Sequence, residues 1–161
     1  MSFGSHPGCA VAIVTGASFR TGRDVARGLA SWAWPVVIVY LEHQWRTEAT
    51  VAEIIAAGGT TVAVRADLAD DLDVQRLYTE SIAAFGGIDV VVHATTGYAA
   101  PLYQHAARHI RQGGAVVSTS AAESVAPCVR SRLRELGITV GRVPPEAVLA
   151  FLDGWWQQNI G

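Results

Sequence analysis

The chain has 161 residues, 50% of them hydrophobic and 16% charged, with a formal net charge of −2. That length fits a single domain over 1–161, the composition is too apolar for a disordered chain, and the near-neutral balance gives no electrostatic basis for binding nucleic acid. All 12 basic residues are arginine and lysine is absent, so no chemistry within this sequence uses a lysine amine.

The charged fraction lies below the roughly 25% usual for soluble domains, which predicts an apolar surface that takes a partner. Cys9 and Cys128 are far apart and form neither a C-x-x-C pair nor a metal-ligand cluster. Met1 to Cys9 has no signal-peptide pattern. The longest apolar stretch, Leu29 to Leu41, is interrupted by Pro35 and is shorter than the roughly 18 residues of a membrane helix. The expectation is a cytoplasmic protein with no membrane partner.

Short β-branched runs alternate with segments of helical period. Strands are predicted at Cys9 to Thr15, Val36 to Tyr40, Thr61 to Arg65, Asp89 to His93, Ala115 to Thr119 and Ile138 to Arg142. Helices are predicted at Thr21 to Trp32, Thr47 to Ala57, Asp71 to Phe85, Pro101 to Arg111, Val129 to Leu136 and Glu146 to Gln158. Several are closed by glycine pairs, Gly58-Gly59, Gly86-Gly87 and Gly113-Gly114. Pro144-Pro145 opens the last helix, where a missing N–H costs nothing. Leu72, Leu77 and Ile82 are core candidates of the third helix. Trp155 and Trp156 are adjacent, so one indole is expected at an exposed edge or a subunit interface. Strands apolar on both faces, alternating with helices, imply an α/β doubly wound parallel sheet with helices on both faces.

The segment Thr15-Gly16-Ala17-Ser18-Phe19-Arg20-Thr21-Gly22 follows the first strand and opens the first helix. Glycines there let backbone approach a pyrophosphate, and a helix N-terminus offers N–H groups and a positive dipole. Val14 to Ala30 resembles the T-G-x-x-x-G-x-G cofactor turn of the short-chain dehydrogenase/reductase family. Ala56 to Ala69 is similar to that family's third strand and adenine-contacting Asp, here Asp67. Phe85 to Val92 resembles the approach to its N-N-A-G motif, Gly113 to Ala121 its fifth strand, Glu135 to Val143 its sixth, and Pro145 to Leu152 its late helix. The resemblance implies a Rossmann-like sheet of about six strands ordered 3-2-1-4-5-6. It also implies a dinucleotide site at Gly16, Ser18, Arg20, Thr21, Gly22, Tyr40, Asp67, Leu68, Ala94 and Thr95.

The chain also departs from the family pattern. Arg20 replaces the second glycine of the turn. A positive φ there would cost about 1–2 kcal/mol, whereas an outward-turned guanidinium could pair with a phosphate. The N-N-A-G equivalent reads His93-Ala94-Thr95-Thr96. The position of the family's catalytic serine is Ala121, with Ser118 and Ser120 nearby. The Y-x-x-x-K pair, in which the tyrosine is acid/base and the lysine tunes it, is missing: no tyrosine follows Tyr103. The segment between Gly97 and Ala106 is shorter than the family's, and the substrate lid after Val143 and the final strand are absent, which gives the reading of a trimmed member.

An acid at the end of the second strand would favour NAD(H). Tyr40 stands there, followed by Glu42 and Arg46, so NADP(H) is expected ahead of NAD(H), with binding weakened or lost. His105 and His109 have the spacing of one-face metal ligands, but no third ligand is legible, and they are read as surface or interface residues with no metal. Tyr98 and Tyr103, read as loop residues after the fourth strand, are weak substitute acids beside Ser118 and Ser120. The leading expectation is a nucleotide-binding family member without the hydride-transfer machinery, acting in binding, regulation or assembly as a homo-oligomer or with a related member. The alternatives are an active NADP(H)-dependent carbonyl reductase with a rearranged site and a non-redox enzyme reusing the fold.

Overall fold

The computed structural model describes residues 10–95, 99–119 and 125–159. Six strands form one parallel sheet: β1 (Ala12–Thr15), β2 (Val36–Tyr40), β3 (Thr61–Arg65), β4 (Ile88–His93), β5 (Ile110–Ser118) and β6 (Thr139–Arg142). Their order is β3-β2-β1-β4-β5-β6, as the resemblance implies. The helices are α1 (Arg20–Ser31), α2 (Gln44–Ala56), α3 (Asp71–Phe85), α4 (Ala100–His109), α5 (Pro127–Glu135) and α6 (Val148–Asn159). No helix among the described residues is long and apolar enough to cross a membrane.

Strand side chains alternate between two cores because successive Cβ atoms point to opposite faces. Ala12, Val14, Val36, Ile38, Val92 and Val117 face the layer built by α1, α2 and α6. Ile13, Val37, Val39, Val91 and Val116 face the layer built by α3, α4 and α5. β1 and β4 are buried along their whole length, so neither core tolerates a slipped register.

Asp89 anchors the entry to this sheet. Its Oδ2 accepts the Val11 N–H at 2.8 Å and an Arg111 guanidinium N–H at 2.9 Å. The arginine sits in an irregularity of β5: pairing jumps from Ile88↔Ile110 to Val90↔Ala115. The glycine pair Gly113-Gly114 therefore does not end the fourth helix. That helix stops at His109, and the glycines lie inside a bulged strand. The first strand is likewise shorter than predicted, beginning at Ala12, and Cys9 lies outside the described residues. The last helix begins with a 3₁₀ turn, Pro145–Ala147.

Two predicted core assignments are corrected. Leu72 is 74% exposed, because Asp70 caps α3 through the Asp73 N–H and turns Leu72 outward in the first turn. Leu77 is fully buried, as expected. Trp155 and Trp156 are both buried in the same core. Adjacent helical positions point about 100° apart, and Trp34 fills the angle between them, its ring centroid 6.1 Å from Trp155 and 5.4 Å from Trp156. Trp32 packs edge-on against Trp34 at 5.2 Å, and the Trp155 Nε1–H donates to the Gly113 carbonyl at 3.3 Å. This cluster fastens α6 to the sheet.

Trp156→Ala is expected to destabilise the fold by about 3–5 kcal/mol, the range for emptying a large aromatic site in a close-packed core. Urea denaturation followed by far-UV circular dichroism measures it. A loss below about 1 kcal/mol would mean that α6 is not fastened by this ring.

Candidate functional site at the carboxyl edge of the sheet

The chain leaves β1 toward one side of the sheet and β4 toward the other, so the two connections part above adjacent strand ends. A crevice at such a switch point is where open α/β sheets take their ligands. Here it is a cleft of about 400 Å³ running across the ends of β3, β2, β1 and β4. Thr15, Gly16, Ser18 and Phe19 line it from β1, Tyr40, Leu41, Glu42 and His43 from β2, Ala66, Asp67, Leu68 and Ala69 from β3, and His93 and Thr95 from β4.

The turn after β1 is held tightly. Gly16 has φ +77°, and a Cβ on it would stand 2.8 Å from the Ala94 carbonyl oxygen. A Cβ on Gly22 would stand 2.3 Å from the Gly16 carbonyl carbon. Both positions therefore require glycine for the turn to close. Ser18 Oγ and Thr47 Oγ1, 3.1 Å apart, tie the turn to α2. Phe19 is the N-cap of α1 and offers no capping side chain, and the first turn carries no acid. The N-terminal N–H groups of α1, which lack intrahelical partners, therefore have no side-chain cap. The N-terminus of α3 differs, being capped by Asp70 and flanked by Asp71 and Asp73.

Arg20 is the first residue of α1 and is not among the described non-glycine residues with positive φ. The strain considered for it does not arise. Its side chain is 89% exposed and lies 3.8 Å from Asp24. Arg20 and Thr21 line a neighbouring hollow with Pro145 and Glu146 rather than the main cleft. Gly16, Ser18, Tyr40, Asp67, Leu68 and Thr95 do converge on the cleft. Asp67 Oδ1 accepts the Ala69 N–H at 3.0 Å, which shapes the wall at the end of β3. Ala94 stands behind the lining and donates its N–H to Thr15 Oγ1 at 3.1 Å.

His93 was legible in sequence only as a departure from a motif. In the structure it forms part of the cleft wall, its Nδ1 2.8 Å from Thr15 Oγ1. This bond joins β1 and β4 in register, Thr15 opposite His93. Burial lowers the His93 pKa to about 4, so the ring is neutral at neutral pH.

The candidate acids are dispersed. Ser118 is buried at the end of β5, paired in register with His93. Tyr103 is not a loop residue: it lies within α4, buried, with its ring centroid 5.9 Å from that of His93, and it does not line the cleft. Tyr98, Thr96, Ser120 and Ala121 lie outside the described residues. His105 is corrected from surface to core: it is buried, and its Nε2 lies 2.8 Å from Asp71 Oδ1. No group of three or more metal-ligating side chains occurs among the described residues. Sequence reasoning missed Phe19, Leu41 and His43 as cleft residues. The available signal was a large ring inside a turn otherwise built of small residues.

A family model described as short chain dehydrogenase matches residues 10–137. The chain belongs to the short-chain dehydrogenase family. The 3-oxoacyl-[acyl-carrier-protein] reductase of Synechocystis sp. is 41% identical over 83 residues, covering 52% of this chain and 34% of that protein. The FabG reductase of Staphylococcus aureus is 38% identical over 82 residues, covering 51% and 33%. The aligned stretch thus spans about a third of the length of these curated relatives. Among solved structures, a short chain dehydrogenase from Burkholderia cenocepacia in complex with NADP superposes with a TM-score of 0.70 at 27% identity, covering 84% of this chain and 73% of that one. The Serratia marcescens short-chain dehydrogenase/reductase gives 0.67 at 26%, covering 86% and 75%. A short-chain dehydrogenase from Oenococcus oeni gives 0.77 at 15% identity over 91% and 90%, a likeness of fold.

The Thr15–His93 pair makes a prediction about acid. A histidine in the unfolded chain takes up its proton near pH 6.5 and His93 in the fold near 4. Between those values the unfolded state binds more protons, so stability is lost as pH falls through the window. The loss is expected to reach about 3 kcal/mol, at 1.36 kcal/mol per pKa unit. Urea denaturation between pH 7 and pH 4 is expected to show a flatter dependence for His93→Gln. Parallel curves would remove His93 as the source.

Proposed function

We propose that the cleft binds a nicotinamide dinucleotide, NADP(H) ahead of NAD(H), and that the chain lacks the proton relay the family uses for carbonyl reduction. The observation that carries the second half is internal to the chain. The crossover from β5 to β6, residues 119–138, contains neither tyrosine nor lysine. The first half is supported by the glycine turn, the uncapped N-terminus of α1 and the cleft that spans the strand ends. The preference for NADP(H) is supported by the likeness to the Burkholderia protein.

A bound dinucleotide supplies a hydride at its nicotinamide ring. The N–H groups at the start of α1 would hold the pyrophosphate, the turn's glycines permitting close approach. Arg20, loosely paired with Asp24, is free to swing toward that charge. Asp67 and Leu68 would flank the base, and Thr95 the ribose. No described tyrosine other than Tyr40 lines the cleft, and Tyr40 stands at the end of β2, on the base side of the turn. Losing a positioned acid/base costs about 10²–10⁴ in rate. The role that fits is nucleotide binding in regulation or assembly, with a second copy or a related family member as partner.

A second reading, an active reductase with a rearranged site, is favoured by one observation: Ser118 remains at the end of β5, level with His93. Calorimetric titration with NADPH and NADH, followed by NADPH oxidation assays with ketones, quinones and 3-oxoacyl thioesters, separates the two. We expect saturable binding, tighter for NADPH, and no turnover above background. Turnover abolished by Ser118→Ala would establish the second reading, and absence of binding to either cofactor would refute both.

A further inference from the structure

We propose that the outer edge of β3 is a self-association surface, where two copies of this chain join their sheets by antiparallel strand pairing about Ala63, and that Arg76 guards it. Such a surface does not depend on what the cleft binds. β3 is the terminal strand of the sheet, beside β2. The Val36 N–H donates to the Thr60 carbonyl at 3.1 Å, and the Ala66 N–H donates to the Tyr40 carbonyl at 2.8 Å. The even-numbered residues of this stretch therefore bond toward β2. Bonding residues alternate along a parallel pair, so the N–H and C=O groups of Thr61, Ala63 and Arg65 point away from the sheet. A row of such groups is a template for a further strand. The opposite edge, β6, contains Gly141, which weakens it as a template.

The β3 edge complements itself. A second copy turned about a two-fold axis at Ala63 sets Ala63 opposite Ala63 of the partner subunit and Thr61 opposite Arg65 of the partner subunit. All of these are outward-facing positions, so each pair exchanges N–H···O=C bonds. Ala63 and Arg65 are exposed; the small residue falls on the axis and the two arginines fall off it, which favours a second copy over an unrelated strand. Half-buried Val62 falls opposite Val64 of the partner subunit, a β-branched pair that stabilises a sheet. α2 adds apolar surface on the same side. Its Glu53 lies 3.4 Å from Arg27 of α1, and Ile55, two residues on, points about 200° away around the helix. Ile55 thus faces away from α1, toward the β3 edge. It is 57% exposed, and joining two edges covers it.

Arg76 stands in the way. From α3 its guanidinium donates an N–H to the Arg65 carbonyl, the outward acceptor that Thr61 of the partner subunit needs. Asp73 at 3.7 Å and Glu80 at 3.3 Å hold the arginine there. These ion pairs are partly exposed and weaken as salt screens them. Self-pairing competes with the guard and is therefore expected to tighten as salt rises, whereas an interface built on ion pairs would loosen.

Sedimentation equilibrium of the whole chain, from micromolar to millimolar concentration, tests this with Arg76→Ala, Ala63→Pro and Ala63→Glu. The unaltered chain is expected to form a reversible dimer that tightens with salt. Arg76→Ala is expected to tighten it about 10-fold, which is about 1.4 kcal/mol. Ala63→Pro removes an outward N–H that the ladder with β2 does not use, so it is expected to abolish the dimer at unchanged Tm. Ala63→Glu, which sets two carboxylates face to face, is expected to do the same and serves if the proline variant misfolds. Ala63→Cys, in a chain also carrying Cys9→Ser and Cys128→Ser, is expected to form a disulfide-linked dimer on mild oxidation, because the paired Cα atoms stand about 5.5 Å apart. Ala52→Cys on exposed α2 surface is expected to stay unlinked. An unaltered chain and an Arg76→Ala variant that are both monomeric throughout overturn the proposal. A dimer that survives both Ala63→Pro and Ala63→Glu, that Ala63→Cys fails to link, or that loosens with salt overturns it as well, by placing the contact elsewhere.

Discussion

The burial of β1 and β4 on both faces is the constraint on which the rest depends. Two parallel strands that are apolar throughout must be covered above and below, and right-handed crossovers then send their connections to opposite sides. The crevice between those connections is a consequence of that covering rather than a separate invention. Thr15 and His93, opposite each other in register, close its floor with a hydrogen bond between the two strands. Each layer of helices seals one face, and the tryptophan cluster around Trp34 holds α6 in its layer.

The two ends of the sheet use charge differently. At the amino end, the buried carboxylate of Asp89 satisfies a backbone N–H of the entering chain and an arginine from the bulge in β5. That arrangement serves stability, because both partners would be left unsatisfied without it. At the carboxyl end, α1 starts without a cap or a first-turn acid. The fixed charges among the described residues that line the cleft are carboxylates, Glu42 and Asp67, beside the neutral His93.

Membership of the short-chain dehydrogenase family fixes the scaffold and leaves the chemistry to the site. The crossover between β5 and β6 is short, with α5 spanning nine residues, and holds no tyrosine or lysine. The cleft lies across the ends of β3, β2, β1 and β4, in the part of the scaffold built around the glycine turn. Four rings, Phe19, Tyr40, His43 and His93, are among the described residues that line it.

The helix-strand alternation and the place of the turn were legible in the sequence, since they rest on local periodicity and on glycines at a strand-helix junction, whereas the strand order came from the family resemblance. Val36–Tyr40, Thr61–Arg65 and Asp71–Phe85 match their predicted spans residue for residue. Properties set by distant neighbours were not legible. Gly113-Gly114 reads as a helix stop, yet it lies within a strand because Arg111 is drawn to Asp89 across the sheet. Trp155 and Trp156 read as incompatible neighbours until Trp34, more than 120 positions earlier, fills the space between them. Six of the ten predicted cofactor residues line the cleft, because strand ends and turns set their direction locally. The sequence could not place Arg20 or Tyr103 or bring Phe19 against His43, since a side chain's exposure depends on which parts of the chain pack beside it, and only the folded arrangement decides that.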